Sequence, residues 1–163
     1  MLLRVRVTVA TVATLLAFGR EGVAQTATQV VRFQVNAINQ VAVSGSPTPL
    51  VINSAAAGSA PTSITGTGTS YAVTTNETNQ KITASIDQAL PSGVTLEVTL
   101  AAPTGAASAG AVPLTTSGAD VVTGISSSSA SALPITYRLS ATPTVQMSAP
   151  ANCVVTFTIV SGT

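Results

Sequence analysis

The feature of this sequence that most constrains its fold is the alternation of apolar and polar residues along short segments rich in β-branched side chains. In the segment GVTLEVTL, Val94, Leu96, Val98 and Leu100 alternate with threonine and glutamate. A period of two residues places the apolar side chains on one face of an extended strand, whereas an amphipathic helix requires a period of 3.6 residues. No segment shows a convincing apolar period of 3.6. We therefore predict a fold built from strands.

Comparable alternation occurs in four other segments, and weaker strand signals occur in four more. The strong segments are VVRFQVNA (30–37), KITASID (81–87), PITYRLSA (134–141) and CVVTFTIV (153–160). The weaker ones span residues 41–44, 50–53, 70–75 and 120–124. Clusters of Gly, Pro, Asn and Ser separate them at intervals of roughly 8–20 residues, as in antiparallel sandwiches. We predict that residues 25–163 form a single all-β domain, an antiparallel two-sheet sandwich of about nine strands.

Two details of this architecture are open to alternatives. The serine-rich stretch SSSSAS at residues 126–131 is predicted to be a flexible loop or a short turn. An eight-stranded outer-membrane barrel is the competing all-β fold, but such barrels carry girdles of aromatic residues. Beyond residue 24 the chain has four aromatic residues, Phe33, Tyr71, Tyr137 and Phe157, so we favour the sandwich.

Residues 1–24 have the organisation of a secretory signal peptide. Arg4 and Arg6 precede an apolar run, VTVATVATLLAF, and the small residues Gly22 and Ala24 occupy the positions expected before a cut after Ala24. Twelve apolar residues are fewer than the ~20 that a membrane-spanning helix needs. We therefore predict cleavage after residue 24 and an exported protein, secreted or held at the cell surface.

The charge that remains after removal of the signal excludes two classes of partner. Three basic residues stand against four acidic ones, which makes the net charge −1 instead of the +1 of the full chain. The basic residues are Arg32, Lys81 and Arg138, and the acidic ones are Glu77, Asp87, Glu97 and Asp120. Because no basic patch or basic amphipathic helix remains, we expect neither nucleic-acid binding nor membrane binding by the mature form.

Reactive groups are few, and we predict that the protein is not an enzyme and needs no cofactor or metal. The chain has no histidine and one cysteine, which excludes a His-based nucleophile pair, an internal disulfide and a thiolate zinc site. A carboxylate pair such as Glu97 and Asp120 could in principle hydrolyse a glycoside. Glu97 lies in mid-strand, however, where an exposed pairing with a cross-strand Arg or Lys is the commoner role. Asp120 could bind calcium with loop carbonyls, but no acidic cluster accompanies it.

Two further side chains are candidate contacts. Tyr71, beside the loop SITGTGTSY, is the one aromatic residue for which the pattern allows exposure, so it is our candidate contact for a glycan or other ligand. The alternative, which we favour, is that all four aromatic residues lie in the core. Asn76-Glu77-Thr78 fits a glycosylation sequon, a short pattern that often occurs by chance. Cys153 is in phase with the apolar residues of the last strand and is predicted to be a small buried side chain.

Self-association is the function that the sequence favours. A nearly uncharged surface lacks the edge charges that keep sheets from pairing with one another. Val31, Phe33 and Val35 alternate in the first strand segment and form a candidate assembly strand, with residues 26–37 donated to another subunit and residues 153–160 forming part of the receiving surface. The alternative is that this strand pairs within its own domain.

An exported sandwich rich in Ala, Thr and Val, opening with an alternating strand and closing with VVTFTIV, resembles the subunits of archaic chaperone–usher pili and other secreted bacterial fibre proteins. The resemblance covers the pattern of residues 25–163, and the chain departs from many such pilins in lacking a cysteine pair. It implies an immunoglobulin-like sandwich and an extracellular structural or adhesive role, with itself or other surface proteins as partners. A soluble module that binds a glycan or a partner protein is the alternative function, and a carboxylate-dependent hydrolase is a more distant one.

Overall fold

The computed structural model describes residues 25–146 and 150–163, and within them the chain forms nine β-strands and no helix. The strands are β1 (Asn39–Gly45), β2 (Ile64–Thr75), β3 (Gln80–Ile86), β4 (Val94–Leu100), β5 (Ala107–Ser108), β6 (Val112–Pro113), β7 (Ala119–Ile125), β8 (Ser128–Ala141) and β9 (Val155–Ser161). One sheet has the order β1-β2-β8-β4-β6 and the other β5-β7-β3-β9, with antiparallel pairing throughout. This confirms the predicted all-β, two-sheet antiparallel architecture. Immunoglobulin-like connectivity stays a prediction.

The chain divides into two units, which are described separately: Met1–Gln34 and Val35–Thr163. In the first unit the described residues are 25–34, and they form no strand. All nine strands belong to the second unit. The predicted signal peptide, residues 1–24, lies outside the described residues.

The core of the second unit is made by the inward faces of the two sheets. In β3, Ile82, Ala84 and Ile86 are buried, and Val98 and Leu100 of β4 are buried on the facing sheet. These side chains belong to one apolar cluster, as the period of two requires when each sheet covers the other. Burying an aliphatic side chain of this size contributes ~1.5–3 kcal/mol, so this cluster is the main source of stability.

The structure differs from the predicted strands at several places, and the two-residue strands β5 and β6 were not predicted. Residues 30–37 and 50–53 are not in strands, although both segments are rich in apolar residues. The stretch SSSSAS is not simply a loop, because β8 begins at Ser128 and Ser129 pairs with Thr74 of β2. Main-chain hydrogen bonding to a long neighbouring strand requires no apolar side chains, so position in the sheet overrides the composition of this stretch.

Candidate assembly interface

The last strand, β9, has an apolar face and pairs with one strand, β3, within the described residues. Its residues Val155, Phe157 and Ile159 lie opposite Ile86, Ala84 and Ile82 of β3, which are almost completely buried. The three β9 side chains are only half-buried, although they pack against the same core. The difference arises because β9 is the outer strand of its sheet.

The main chain of β9 also has hydrogen-bonding groups along its outer side, where none of the nine described strands pairs with it. The Val154 carbonyl accepts a hydrogen bond from the Asp87 amide at 3.1 Å, and the Gly162 amide donates to the Asn79 carbonyl at 2.6 Å. In an antiparallel ladder alternate residues bond to the same neighbour, so the even-numbered residues face β3. The N–H and C=O groups of Val155, Phe157 and Ile159 therefore point to the outer side, in phase with the inward apolar side chains.

The first strand, β1, is the outer strand of the facing sheet and lies against β9. Its inward residues Val41 and Val43 pair with the buried Val73 and Tyr71 of β2, but Val43 is 48% exposed. We define the open edge as the inward residues of these two outer strands, Val41, Val43, Val155, Phe157 and Ile159. It joins a half-buried apolar surface to a row of main-chain donors and acceptors, which is the surface that strand addition requires.

The two outer strands run in opposite directions, which defines two ends of the open edge. Asn39 at the start of β1 pairs with Thr75, and Ser161 at the end of β9 pairs with Gln80. Thr75 and Gln80 flank the same turn, so β1 begins at the end of the sandwich where β9 finishes. At that end the Gly162 backbone lies so close to Asn79 that an added Cβ would come within 2.5 Å of its carbonyl oxygen.

The predicted assembly strand is not a strand in the structure, and its apolar side chains are exposed. Residues 25–37 have no regular secondary structure, and Val31, Phe33 and Val35 are 71%, 92% and 76% exposed. A strand is stabilised by its ladder partner and by a surface that covers its apolar side chains, and alternation alone supplies neither. The expectation that Phe33 lies in a core is therefore not met.

Asn76 fixes the start of β1 through both its main chain and its side chain. Its Nδ2 donates to the Asn36 carbonyl at 2.8 Å, and its Oδ1 accepts from the Ile38 amide at 2.8 Å. The Asn76 amide in turn donates to the Ile38 carbonyl at 3.2 Å. The sequence pattern marked Asn76 only as part of a sequon, and in the structure both ends of its amide group are engaged in hydrogen bonds.

The proposed ligand contact, Tyr71, is not exposed. Its side chain is 1% exposed, and its hydroxyl donates to the Ala101 carbonyl at 2.5 Å. Burial raises the pKa of Tyr71 to about 12, because the tyrosinate would lose its hydration. Tyr71 is thus a core residue, the alternative that we favoured, and the candidate exposed contact is ruled out, because Tyr71 lies on the inward face of β2, opposite Val43 of β1.

Cys153 is a free thiol at the beginning of the open edge and is half-buried. Burial, together with the nearby Asp87 carboxylate, raises the pKa of Cys153, so the thiol is the favoured form. The carboxylate oxygen of Asp87 accepts a hydrogen bond from the Val154 amide at 2.9 Å. These contacts describe an apolar packing residue whose sulfur is held in a weakly nucleophilic state.

The carboxylates considered for catalysis are engaged in ion pairs on opposite outer faces. Glu97 of β4 accepts from Arg138 of β8 at 3.1 Å, the cross-strand pairing that the sequence favoured. Asp120 of β7 accepts from Lys81 of β3, also at 3.1 Å, on the other sheet. Facing away from each other across the sandwich, the two carboxylates cannot flank one scissile bond. Within residues 25–146 and 150–163, no three His, Cys, Asp or Glu side chains come together as metal ligands.

Among the depressions on the described surface of the second unit, two were considered as ligand sites. One, of about 400 Å³, is polar and is lined by Asn76, Glu77, Thr78, Gln80 and Ser161. The other, of about 300 Å³, lies at the far end between the sheets and includes Ile86, Leu90 and Leu114. Neither contains an aromatic side chain on which a sugar ring could stack.

Comparisons with known proteins give no relative from which a role could be transferred. No protein-family model matches the chain, and neither curated proteins nor solved structures give a significant match. In the described part of the chain, no helix is long and apolar enough to cross a membrane. The interpretation of the site therefore rests on its own geometry.

Proposed function

We propose that this protein is an exported structural subunit that assembles by donating residues 26–37 to the open edge of a neighbouring subunit. The observation that carries the proposal is that one chain contains both halves of a strand pair. The open edge has a half-buried apolar face and an outer side with which no described strand pairs, and the segment around Phe33 has the matching alternation. A fibre or surface layer at the cell surface is the role that fits such assembly.

The spacing of the apolar residues in residues 26–37 and in β9 supports one specific register between the two strands. An antiparallel donor with Phe33 opposite Phe157 places Val31 opposite Ile159 and Val35 opposite Val155. All six side chains then face the core, because directly opposed residues share one face of a sheet. The apolar row ends where the polar Gln29 meets Ser161 at one end and the small Ala37 meets Cys153 at the other.

An antiparallel donor also produces an open chain of subunits. The donor then enters at the end of the neighbour where β9 finishes and leaves at the end where β9 begins. Its own sandwich follows directly, so subunits are arranged head to tail. A head-to-tail contact that does not close on itself generates a filament.

Apolar burial supplies the affinity of this contact, and charge contributes little. Burying Val31, Phe33 and Val35 contributes ~1.5–3 kcal/mol for each side chain, from which the cost of ordering the segment is subtracted. Arg32 is the one charged residue of the donor. We therefore expect assembly to depend strongly on protein concentration and weakly on salt.

The alternative functions have lost the observations that favoured them. Tyr71 was the one exposed aromatic contact expected for a glycan-binding module, and it is buried. Glu97 and Asp120, considered for hydrolysis, lie on opposite faces in separate ion pairs. The signal-peptide pattern, the low charge and the resemblance to pilus subunits support the exported structural role.

The experiment compares purified residues 25–163 with two matched variants, Val31→Asp and Val30→Asp. Val30 and Val31 are adjacent, both are exposed, and alternation places their side chains on opposite faces of the donor. We expect concentration-dependent oligomers for the unchanged protein and for Val30→Asp. We expect at least tenfold weaker assembly for Val31→Asp, because it places a charge among apolar side chains.

Size-exclusion chromatography and negative-stain microscopy measure the assembly, and circular dichroism checks that each variant is folded. A protein that stays monomeric at high concentration, and behaves identically when residues 25–36 are deleted, would contradict the proposed function.

A further inference from the structure

The hydrogen bonds of Asn76 hold residues 36–38, which directly precede β1. The ladder between β1 and β2 ends at the pair Asn39–Thr75, and Ile38 and Asn76 extend it by one more position. The Asn76 side chain then contacts the main chain of Ile38 and of Asn36, where no further strand residue is available. Residues 36–38 therefore continue the line of β1 beyond the end of β2.

A second layer of hydrogen bonds supports this arrangement. Asn39 donates from Nδ2 to the Glu77 carboxylate at 2.6 Å, and its Oδ1 accepts from the Thr75 hydroxyl, also at 2.6 Å. The Thr75 hydroxyl oxygen accepts from the Glu77 amide at 3.0 Å. The turn that carries Asn76 is thus connected to the first residue of β1 by side chains as well as by the ladder, which limits the freedom of both.

The open edge could be covered by residues 26–37 of a second copy or by the same residues of its own chain, and the position of residues 36–38 favours the first. To cover its own β9, the segment before residue 36 would have to reverse direction within residues 36–38 and run back beside β1. Such a strand would be antiparallel to β1 and therefore parallel to β9, because β1 and β9 run in opposite directions. The reversal would break the bonds from Asn76 to Asn36 and Ile38.

We infer that Asn76 is a positioning residue that prevents the chain from filling its own open edge and so reserves the donor segment for a second copy of this chain. The inference rests on the proposed function and adds a residue that determines whether residues 26–37 cover the open edge of their own chain or that of a second copy. Without such control, insertion within one chain would win, because a tethered segment has a high effective concentration near its own edge.

The test uses Cys153 as a reporter of which segment lies beside it. In the antiparallel contact between copies, residue 37 lies opposite Cys153 of the neighbour, so Ala37→Cys should give disulfide-linked ladders. In the parallel fold-back, residue 29 lies near Cys153 of the same chain, so Gln29→Cys should give an internal disulfide. Opposed residues of paired strands are 4.5–5.5 Å apart at Cα, roughly the range that a disulfide spans.

Each reporter is combined with Asn76→Ala and with Asn53→Ala, a matched change at an exposed asparagine for which no side-chain hydrogen bond is found within the described residues. Non-reducing electrophoresis separates ladders from monomers, and intact mass spectrometry counts internal disulfides. With Asn76 present we expect ladders from Ala37→Cys and few internal disulfides from Gln29→Cys. Asn76→Ala should raise the internal product about tenfold and weaken the ladder, whereas Asn53→Ala should change neither.

The outcomes distinguish this inference from the proposed function. If ladders form equally with and without Asn76 and internal disulfides stay rare, the role of Asn76 is refuted and donation between copies stands. If no ladder forms from Ala37→Cys even with Asn76 present, and Val31→Asp assembles like the unchanged protein, donation itself is refuted. Should Asn76→Ala fail to fold by circular dichroism, Asn76→Asp replaces it, because it keeps the acceptor for Ile38 and loses the donor to Asn36.

Discussion

The two lateral edges of the sandwich are built in opposite ways. On one side the outer strands are β5 and β6, which have two residues each, within a segment that also contains Pro103, Gly105 and Gly110. On the other side the outer strands are β1 and β9, which have seven residues each. We refer to residues 101–118, which contain β5 and β6, as the closed edge.

The closed edge is held by hydrogen bonds and apolar burial of a kind not found at the open edge among the described residues. The Ser108 hydroxyl donates to the Leu100 carbonyl at 2.6 Å, which joins β5 of one sheet to β4 of the other. Leu114 is buried at 4% exposure, and its amide donates to Leu96 at 2.8 Å. Pro113 has no N–H to offer to an additional strand.

The difference shows that the exposure of β1 and β9 is a local property of one side rather than a general weakness of the fold. The chain uses short strands, prolines and a buried leucine where an edge is to be protected, which are the usual means of preventing edge-to-edge pairing. The long, apolar outer strands of the open edge have no such protection. The proposed partner of such an edge is an incoming strand.

The largest expected effect comes from supplying the donor to the open edge within one chain. Residues 26–37, moved from the N-terminus to a short Gly/Ser linker after Thr163, can fold back antiparallel to β9. We expect a stable monomer whose free energy of unfolding rises by about 2–5 kcal/mol, since three apolar side chains become buried without loss of association entropy. Chemical denaturation against residues 37–163 measures the gain.

The control for this fusion is the same chain with Val31→Asp in the transplanted segment. If the control were stabilised as much as the parent fusion, the open edge would have no specific fit for the alternating residues, and its contrast with the closed edge would lose its functional meaning.

An intermediate effect is expected at the closed edge, where Tyr71 holds the start of residues 101–118 through the Ala101 carbonyl. Tyr71→Phe should cost about 1–2 kcal/mol, because it leaves that carbonyl without its donor. The pKa of Tyr71 is about 12 in the folded protein, above the ordinary value of 10. The folded state therefore retains a proton that the unfolded state has lost, and stability should fall between pH 10 and pH 12, by roughly 2 kcal/mol from this group.

Denaturation midpoints at pH 9 and pH 11.5 test this prediction. Tyr71→Phe should have a smaller fall than the unchanged protein. A residual fall is expected in both proteins, because burial also raises the pKa of Tyr137. Equal falls in the two proteins would show that the buried hydroxyl does not stabilise the closed edge in its neutral form.

The smallest effect is expected for Glu97, which pairs with Arg138 on the outer face beside β6. Glu97→Gln should change the free energy of unfolding by less than about 1 kcal/mol, because a partly exposed ion pair contributes little. It should leave assembly unchanged. A tenfold change in assembly, measured by size exclusion, would mean that the interface includes this face and is not confined to β1 and β9.

Much of the fold was predictable from local sequence. The strands containing Ile82, Val98, Tyr137 and Phe157 follow the period of two, because one face of each is covered by the opposite sheet. The pairing of Glu97 with an opposed basic residue was also predictable in kind. Both follow from the alternation of side chains along a strand, which neighbouring residues alone establish.

The candidate site was predictable only in part. The sequence identified Val31, Phe33 and Val35 as an alternating set and residues 153–160 as a partner surface. It left open whether Tyr71 is exposed or in the core, because the inward face of a strand can only be known once the opposite sheet is in place. It gave Asn76 no structural role, since the hydrogen bonds to Asn36 and Ile38 join residues some 40 positions apart.

The sequence by itself thus determined that this protein is made of strands with one apolar face each, that it has few charges, and that it has little reactive chemistry. Only the tertiary structure decided which strands lie at the edges and which of those edges is closed. The physical reason is that alternation specifies which side chains seek burial, whereas main-chain hydrogen bonds between distant segments determine how many neighbours each strand receives. Phe33 and Phe157 have the same local pattern, yet Phe33 is 92% exposed and Phe157 is half-buried, because Phe157 lies in a strand paired with β3 whereas Phe33 is not in a strand.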